Sequence, residues 1–267
     1  MERLVSSYNY YLSIADKRLE NRFGMSSIFS PILTLVIYGI ILYLIRKIME
    51  NRKPFELKTF MIFYNLFQVV ASFYNCFEIL YLVIKMKYSL TCEPVDYSDD
   101  PDATRLAYAI HFYYVMKVTD LMDTIIFALR KKSNQITFLH VFHHSSMIVT
   151  GWLGTKWVPG GQSFVCVMFN SFVHGVMYGY YGLASMGPSV QKYLWWKKYL
   201  TQLQLFQFLC VVSHSLVNAT QTECTYPKAF VYSTAIYTTL IAGLFVNFYR
   251  KSYLLKKSAK IGEKKAE

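Results

Sequence analysis

The chain has 267 residues, 54% hydrophobic, 18% aromatic and only 16% charged, with a mean hydropathy of +0.25. That balance excludes an ordinary soluble domain and is that of a polytopic membrane protein. The net charge of +12 does not point to nucleic acid, because the basic residues are spread over short loops instead of one soluble module; topology and anionic headgroups account for them.

A bilayer-crossing helix needs roughly 20 mostly apolar residues. Stretches of that kind occur at 28–45, 60–84, 106–129, 136–153, 164–184, 199–217 and 230–249, which predicts seven spans in a single all-α domain over 1–267 with a tail at 250–267. The first 25 residues carry charges throughout and lack a continuous apolar core, so the first span is expected to act as its own insertion signal. Lys and Arg are concentrated in the loops around 46–58, 130–132 and 192–198 and in the tail, which predicts a cytosolic C-terminus and an N-terminus on the opposite side. The longest loop, 85–105, is acidic ("EPVDYSDDPDA") and lies on the N-terminal side.

Of the five cysteines, Cys76, Cys166 and Cys210 fall in spans, whereas Cys92 and Cys224 fall in loops on the non-cytosolic face. An oxidising lumen allows that pair to bond; two unrelated thiols are the competing reading. "NAT" at 218–220 is a glycosylation sequon abutting the sixth span. The chain ends "EKKAE", and Lys264 and Lys265 resemble the dilysine retrieval signal of endoplasmic reticulum membrane proteins, against the plainer reading of a solvated basic tail.

Ionisable groups inside spans are costly and mark functional sites by default. In the third span, "KVTDLMDT" puts Lys117, Asp120, Asp123 and Thr124 on one helical face, and Lys117 can neutralise Asp120 at i, i+3. A purely structural buried ion pair is the alternative. In the fourth, "QITFLHVFHH" sets Gln135 near the entrance and His140, His143 and His144 on one stripe. The fifth has Asn170 and His174 one turn apart, followed by Met177, Tyr178 and Tyr181, and the sixth begins with Thr201, Gln204 and Gln207 at i+3 steps. Tyrosines and amides at such spacing serve equally as core or interhelical glue.

At a rise of about 1.5 Å per residue, the polar groups of these four alternating helices all lie roughly 6 to 18 Å below the cytosolic face. That common depth predicts a cavity open to the cytosol and closed towards the lumen. His111 and His214, near the lumenal ends, are expected to be structural.

Three histidines on a membrane helix suggest a metal-dependent oxygenase or desaturase, but di-iron sites need more imidazoles than the four in reach. A single zinc on three histidines stays open. So does a seven-span transporter or receptor.

"KVTDLMDT", "HVFHH", "NSFVHGVMYGYY" and "TQLQLFQF", in this order on successive helices, resemble the very-long-chain fatty acid elongases, the ELO condensing enzymes of the endoplasmic reticulum, and the resemblance covers nearly the whole chain. One departure is Asp120, where the family's usual pattern has Glu; the shorter side chain puts its contact with Lys117 in question. The resemblance implies seven transmembrane helices around an acyl tunnel that opens to the cytosol. The implied reaction condenses acyl-CoA with malonyl-CoA to 3-ketoacyl-CoA, CO2 and CoA, without metal or redox cofactor. It further implies an acyl-enzyme on histidine, with His143 as carrier and His174 as base or second imidazole. In that scheme His140 and His144 orient the ring and support the oxyanion or enolate. Asn170 and Gln204 donate to those oxygens, and Lys117, Asp120 and Asp123 fix charge and proton position. Gln135, Tyr178, Tyr181, Thr201 and Gln207 line the substrate path, and Lys131, Lys132, Lys197 and Lys198 hold CoA phosphates, generic topology signals being the alternative for each lysine. The expected partners are the two CoA thioesters, the bilayer, other enzymes of the elongation cycle and a second copy of the chain.

Overall fold

The computed structural model describes residues 2–255, and every regular element among them is helical. In chain order the α-helices are α1 (Glu2–Ser13), α2 (Ser30–Met49), α3 (Lys58–Lys85), α4 (Pro101–Asp120), α5 (Met122–Leu129), α6 (Phe138–Trp157), α7 (Ser163–Ser185), α8 (Pro188–Gln191), α9 (Lys197–Thr220) and α10 (Lys228–Tyr249). Four stretches, Ser30–Met49, Lys58–Lys85, Lys197–Thr220 and Lys228–Leu255, are long and apolar enough to cross a bilayer. The other three expected spans are helical as well. The third is divided at Leu121 into α4 and α5, the fourth is α6 with its histidines, and the fifth is α7 with Asn170 and His174. Lys264 and Lys265 lie outside the described residues.

The helix starts are written locally. Asp100 caps α4 by accepting from the amides of Asp102 and Ala103, with Pro101 at the first position, and Thr137 caps α6 by accepting from His140 N at 3.2 Å.

The chain divides into two compact units, Met1–Leu57 with Tyr74–Met168 and Lys58–Phe73 with Phe169–Glu267. In the first, α4 packs against α6, and α2 packs against α5 and α6. The register of α5 and α4 against α6 is antiparallel. Thr124 meets His140, Leu121 and Ile148 share a cluster with Tyr38, and the Tyr114 ring lies over Gly151 and against Trp152.

The end of this pair remote from the histidines is closed by the segment between α1 and α2. Leu19 and Met25 are fully buried with Ala107, Tyr114 and Trp152. Three side chains hold three consecutive carbonyls: His111 Nε2 lies 2.9 Å from Phe23 O, Trp152 Nε1 donates to Gly24 O at 2.7 Å, and Lys156 Nζ donates to Met25 O at 2.8 Å. Gly24 has φ +75, and a Cβ there would stand 3.0 Å from the Tyr114 ring, so both conformation and space require glycine. Arg18 pairs with Asp16 at 2.6 Å and donates to the carbonyls of Asp96 and Ser98, tying the segment to the acidic loop. Cys92 in that loop is disulfide-bonded, and Cys76 and Cys166 are free thiols.

In the second unit α9 and α10 form a packed hairpin, and Met177, Tyr178 and Leu200 make a core between α7 and the start of α9. Lys228 Nζ donates to the carbonyls of Asn218, Ala219 and Gln221, which satisfies the C-terminal end of α9. Asn218 of the sequon is 2% exposed inside α9, its amide bonded to His214 O at 2.9 Å, so the side chain is not presented as an acceptor for sugar. Cys224 is disulfide-bonded and Cys210 is free.

Candidate active site

The break between α4 and α5 organises the polar face of the third predicted span. Leu121 N bonds back to Val118 O at 3.3 Å, a tighter closure than the α-helical one, which ends α4 at Asp120 and starts α5 at Met122. Lys117 thereby falls in the last turn of α4 and Asp123 in the first turn of α5, each with the sign that the local helix dipole favours. Lys117 Nζ bonds Asp120 Oδ2 at 2.8 Å, and the ammonium lies 4.8 Å from the centre of the Tyr113 ring. Asp123 and Thr124 are buried beside them.

Opposite, on α6, the histidines form a continuous edge. The rings of His140 and His144 are 4.4 Å apart between centroids, and those of His143 and His144 are 5.5 Å apart. His144 is buried, and the Phe127 ring packs on His140 at 5.3 Å. The charges of Lys117 and Asp120 act on His143, and that of Asp120 also on His140, so the ion pair and the imidazoles share one electrostatic environment. Thr124 Oγ1 lies 2.9 Å from His140 Nε2 and accepts from Tyr38 OH at 2.7 Å. Seven ionisable or polar side chains, Lys117, Asp120, Asp123, Thr124, His140, His143 and His144, are thus gathered in the first unit.

The second unit gathers the rest of the expected site around α7. Asn170 and His174 are buried, and the His174 ring is 5.9 Å from that of Tyr178, which is fully buried and stands edge-on to Tyr64 at 6.0 Å. Phe73 of α3 packs so closely on α7 that a Cβ at Gly175 would stand 2.9 Å from its ring; the glycine beside His174 lets the helices approach. On α9, Thr201 and Gln207 are buried, and Gln204 Nε2 donates to Met177 Sδ at 3.6 Å.

The family described as "ELO: GNS1/SUR4 family" matches residues 23–261. The chain is 41% identical over 259 residues to very long chain fatty acid elongase 4 of Macaca mulatta, covering 97% of this chain and 82% of that protein. To very long chain fatty acid elongase 7 of Rattus norvegicus it is 44% identical over 256 residues, 94% of this chain and 90% of the relative. To very long chain fatty acid elongase 1 of Mus musculus it is 42% identical over 257 residues, 95% and 91%. The chain belongs to the ELO family.

Within this ELO chain the Asp120 departure is accommodated, since the shorter carboxylate still reaches Lys117. Gln135 sits exposed at the end of a short 3-10 turn, Ser133–Gln135, just before α6, and Lys131, Lys132, Lys197 and Lys198 are exposed on loops or a helix start. Lys131 Nζ donates to Glu50 O at 3.3 Å. Tyr181 is partly exposed at the edge of the Tyr178 and Tyr180 rings. Among the described residues no group of three or more His, Cys, Asp or Glu side chains is arranged to hold a metal ion.

Two features escaped the sequence reading. Asn65, Gln68, Ser72 and Asn75 form a buried polar stripe along α3, with Gln68 Nε2 donating to Tyr64 OH at 3.2 Å. Their spacing of 3, 4 and 3 residues is a helical face, a signal visible in the sequence of the second span. The other is Tyr38, whose role depends on a partner 86 residues away and leaves no local trace.

Proposed function

We propose that this ELO protein condenses a long-chain acyl-CoA with malonyl-CoA to give 3-ketoacyl-CoA, the carbon–carbon bond-forming step of fatty acid elongation, through an acyl-histidine. The observation that carries the proposal is the run of imidazoles on α6 beside the buried Lys117–Asp120 pair. Three contiguous rings and an internally neutralised charge, in a region expected to be poor in water, suit nucleophilic acyl transfer.

The reaction balances as two half-steps. A neutral His143 ring nitrogen attacks the thioester carbonyl, the carbon–sulfur bond breaks, and CoA leaves as the thiolate and takes up a proton. Malonyl-CoA then loses CO2, the bonding pair passing into the thioester enolate. The enolate carbon attacks the acylimidazole, forming the new carbon–carbon bond, and the carbon–nitrogen pair returns to His143, which regains from solvent the ring proton it gave to the CoA thiolate. Exclusion of water protects the acylimidazole from hydrolysis. His174 serves as base or second imidazole, and His140 and His144 orient the carrier. Asn170 and Gln204 donate to the developing oxyanion, whose stabilisation is commonly the largest electrostatic contribution to such steps. Lys117 with Asp120 and Asp123 sets the local charge. Thr201, Gln207, Tyr178, Tyr181 and Gln135 line the substrate path, and Lys131, Lys132, Lys197 and Lys198 hold the CoA phosphates.

The names of the relatives, very long chain fatty acid elongases 1, 4 and 7, support the substrate class. The accompanying topology has seven spans around an acyl tunnel open to the cytosol. The same proposal assigns the protein to the endoplasmic reticulum membrane with a lumenal N-terminus, a cytosolic C-terminus and Lys264 and Lys265 as retrieval signal.

The test is turnover by the purified full chain with labelled malonyl-CoA across a panel of acyl-CoA lengths. The proposal expects CO2 release that depends on acyl-CoA and varies with its length. Acyl-independent release, or none with any acyl-CoA, contradicts it.

A further inference from the structure

We infer that Tyr38, on the first long apolar helix, is a positioning residue that acts through Thr124 to hold His140 as a neutral imidazole with Nε2 unprotonated.

Helix α2 exposes most of its side chains, and its buried residues are Pro31, Tyr38 and Met49, so Tyr38 is the one buried in mid-helix. Its ring is fixed between Leu121, the residue at the break between α4 and α5, and Ile148, one turn beyond His144 on α6. A ring held on both sides has a determined hydroxyl direction. That hydroxyl donates to Thr124 Oγ1 at 2.7 Å, and Thr124 Oγ1 stands 2.9 Å from His140 Nε2.

A threonine hydroxyl has a single proton, and an acceptor that receives Tyr38's proton keeps its own to donate. In the arrangement we infer, the chain runs Tyr38 O–H to Thr124 O–H to His140 Nε2, with Nε2 as the acceptor. The remaining ring proton must sit on Nδ1, because the hydrogen bond made by one imidazole nitrogen decides the protonation of the other. His140 then offers a fixed N–H donor within a ring edge that includes His144 at 4.4 Å and continues to His143. A proton on Nε2 would have to take the second lone pair of Thr124 Oγ1 and turn the threonine proton away from the ring, so a relay in which Thr124 donates selects one tautomer of the group that orients the acyl carrier. Without Tyr38 the Thr124 hydroxyl loses the donor that orients it, and both tautomers become populated.

This inference rests on the condensing reading only for its kinetic consequence. The first arm measures turnover of Tyr38→Phe, Thr124→Val, Thr124→Ser and the Tyr38→Phe/Thr124→Val double variant. Losing one hydrogen bond of this kind lowers kcat about five- to ten-fold. Tyr38→Phe is expected to show that loss with the KM for acyl-CoA and the thermal midpoint unchanged. Thr124→Val loses at least as much, Thr124→Ser recovers most of the rate, and the double variant is no worse than Thr124→Val because the two groups act in series. The second arm reads the 15N shifts of His140 in the histidine-labelled full chain and needs no turnover. Nε2 is expected to be unprotonated in wild type and the tautomers mixed in Tyr38→Phe. Wild-type kcat in an active Tyr38→Phe enzyme overturns the inference while leaving the condensing reading intact. So does a protonated Nε2 in the wild-type spectrum. Absence of turnover in wild type with the expected spectrum overturns the condensing reading and leaves the relay standing.

Discussion

Lys117 Nζ and Asp120 Oδ2 lie 2.8 Å apart at the end of α4, with only 5% and 2% of their side chains exposed. A buried pair of this kind holds because each charge answers the other, and removing one partner leaves the second desolvated at a cost of about 3–5 kcal/mol. Asp120→Asn is therefore expected to lower the thermal midpoint in detergent sharply and to abolish turnover. The double replacement Lys117→Met/Asp120→Leu restores most of the midpoint without restoring turnover. Unfolding monitored by fluorescence together with CO2 release separates the two effects. Recovery of turnover in the double variant would show the charges to be structural alone.

The carbonyl clamp on the segment between α1 and α2 predicts a stability effect remote from the histidines. Gly24→Ala meets both the positive φ and the Tyr114 ring at 3.0 Å, and strain plus overpacking there costs about 2–4 kcal/mol. Thermal unfolding should show a lower midpoint for Gly24→Ala. Gly39→Ala on α2, where a Cβ meets nothing within 4 Å, should not lower it.

Five cysteines, three of them free, predict a count that thiol labelling can read. Denatured without reductant, the chain should take up three maleimide tags; after reduction it should take up five. A digest of the non-reduced protein should contain the Cys92 peptide joined to the Cys224 peptide. Uptake of five tags without reductant contradicts the oxidised state of both residues.

Tyr88, in the loop after α3, has its phenol pushed up to about 12, first by burial and then by the nearby charges of Glu93 and Asp96. The folded state thus binds this proton more tightly than the unfolded chain, whose tyrosine titrates near 10. The sign follows: the contribution is complete below pH of about 10 and is lost as the pH rises through about 12. Tyr88→Phe, which cannot ionise, should shift the midpoint of alkaline unfolding upwards. An unshifted midpoint would mean that the folded state does not oppose ionisation of this phenol.

Polar residues at helical spacing within apolar stretches announced Lys117, Asp120 and the three α6 histidines, because charge inside a span is too costly to be incidental. The structure brings these together as the spacing implied. The interruption at Leu121 was not legible: neither proline nor glycine marks it, and it depends on a backbone bond from Leu121 to Val118. Tyr38 was hidden for a related reason, as one tyrosine among 23 in the chain, distinguished only by contacts with two distant helices. The first 25 residues read as a charged stretch without a continuous apolar core, in which Leu19 and Met25 are isolated apolar positions. Their burial comes from Trp152, Tyr114 and Ala107, which no local pattern in that segment reveals.

An acyl-histidine route requires His143 to become acylated before malonyl-CoA is bound. The direct measurement is rapid-quench release of CoA from the full chain mixed with long-chain acyl-CoA alone, followed by mass spectrometry of the peptide carrying α6. A burst approaching one CoA per active chain is expected, with the acyl mass on that peptide, and both should be absent in His143→Ala. CoA release that waits for malonyl-CoA, or a full burst in His143→Ala, would contradict the acyl-histidine route.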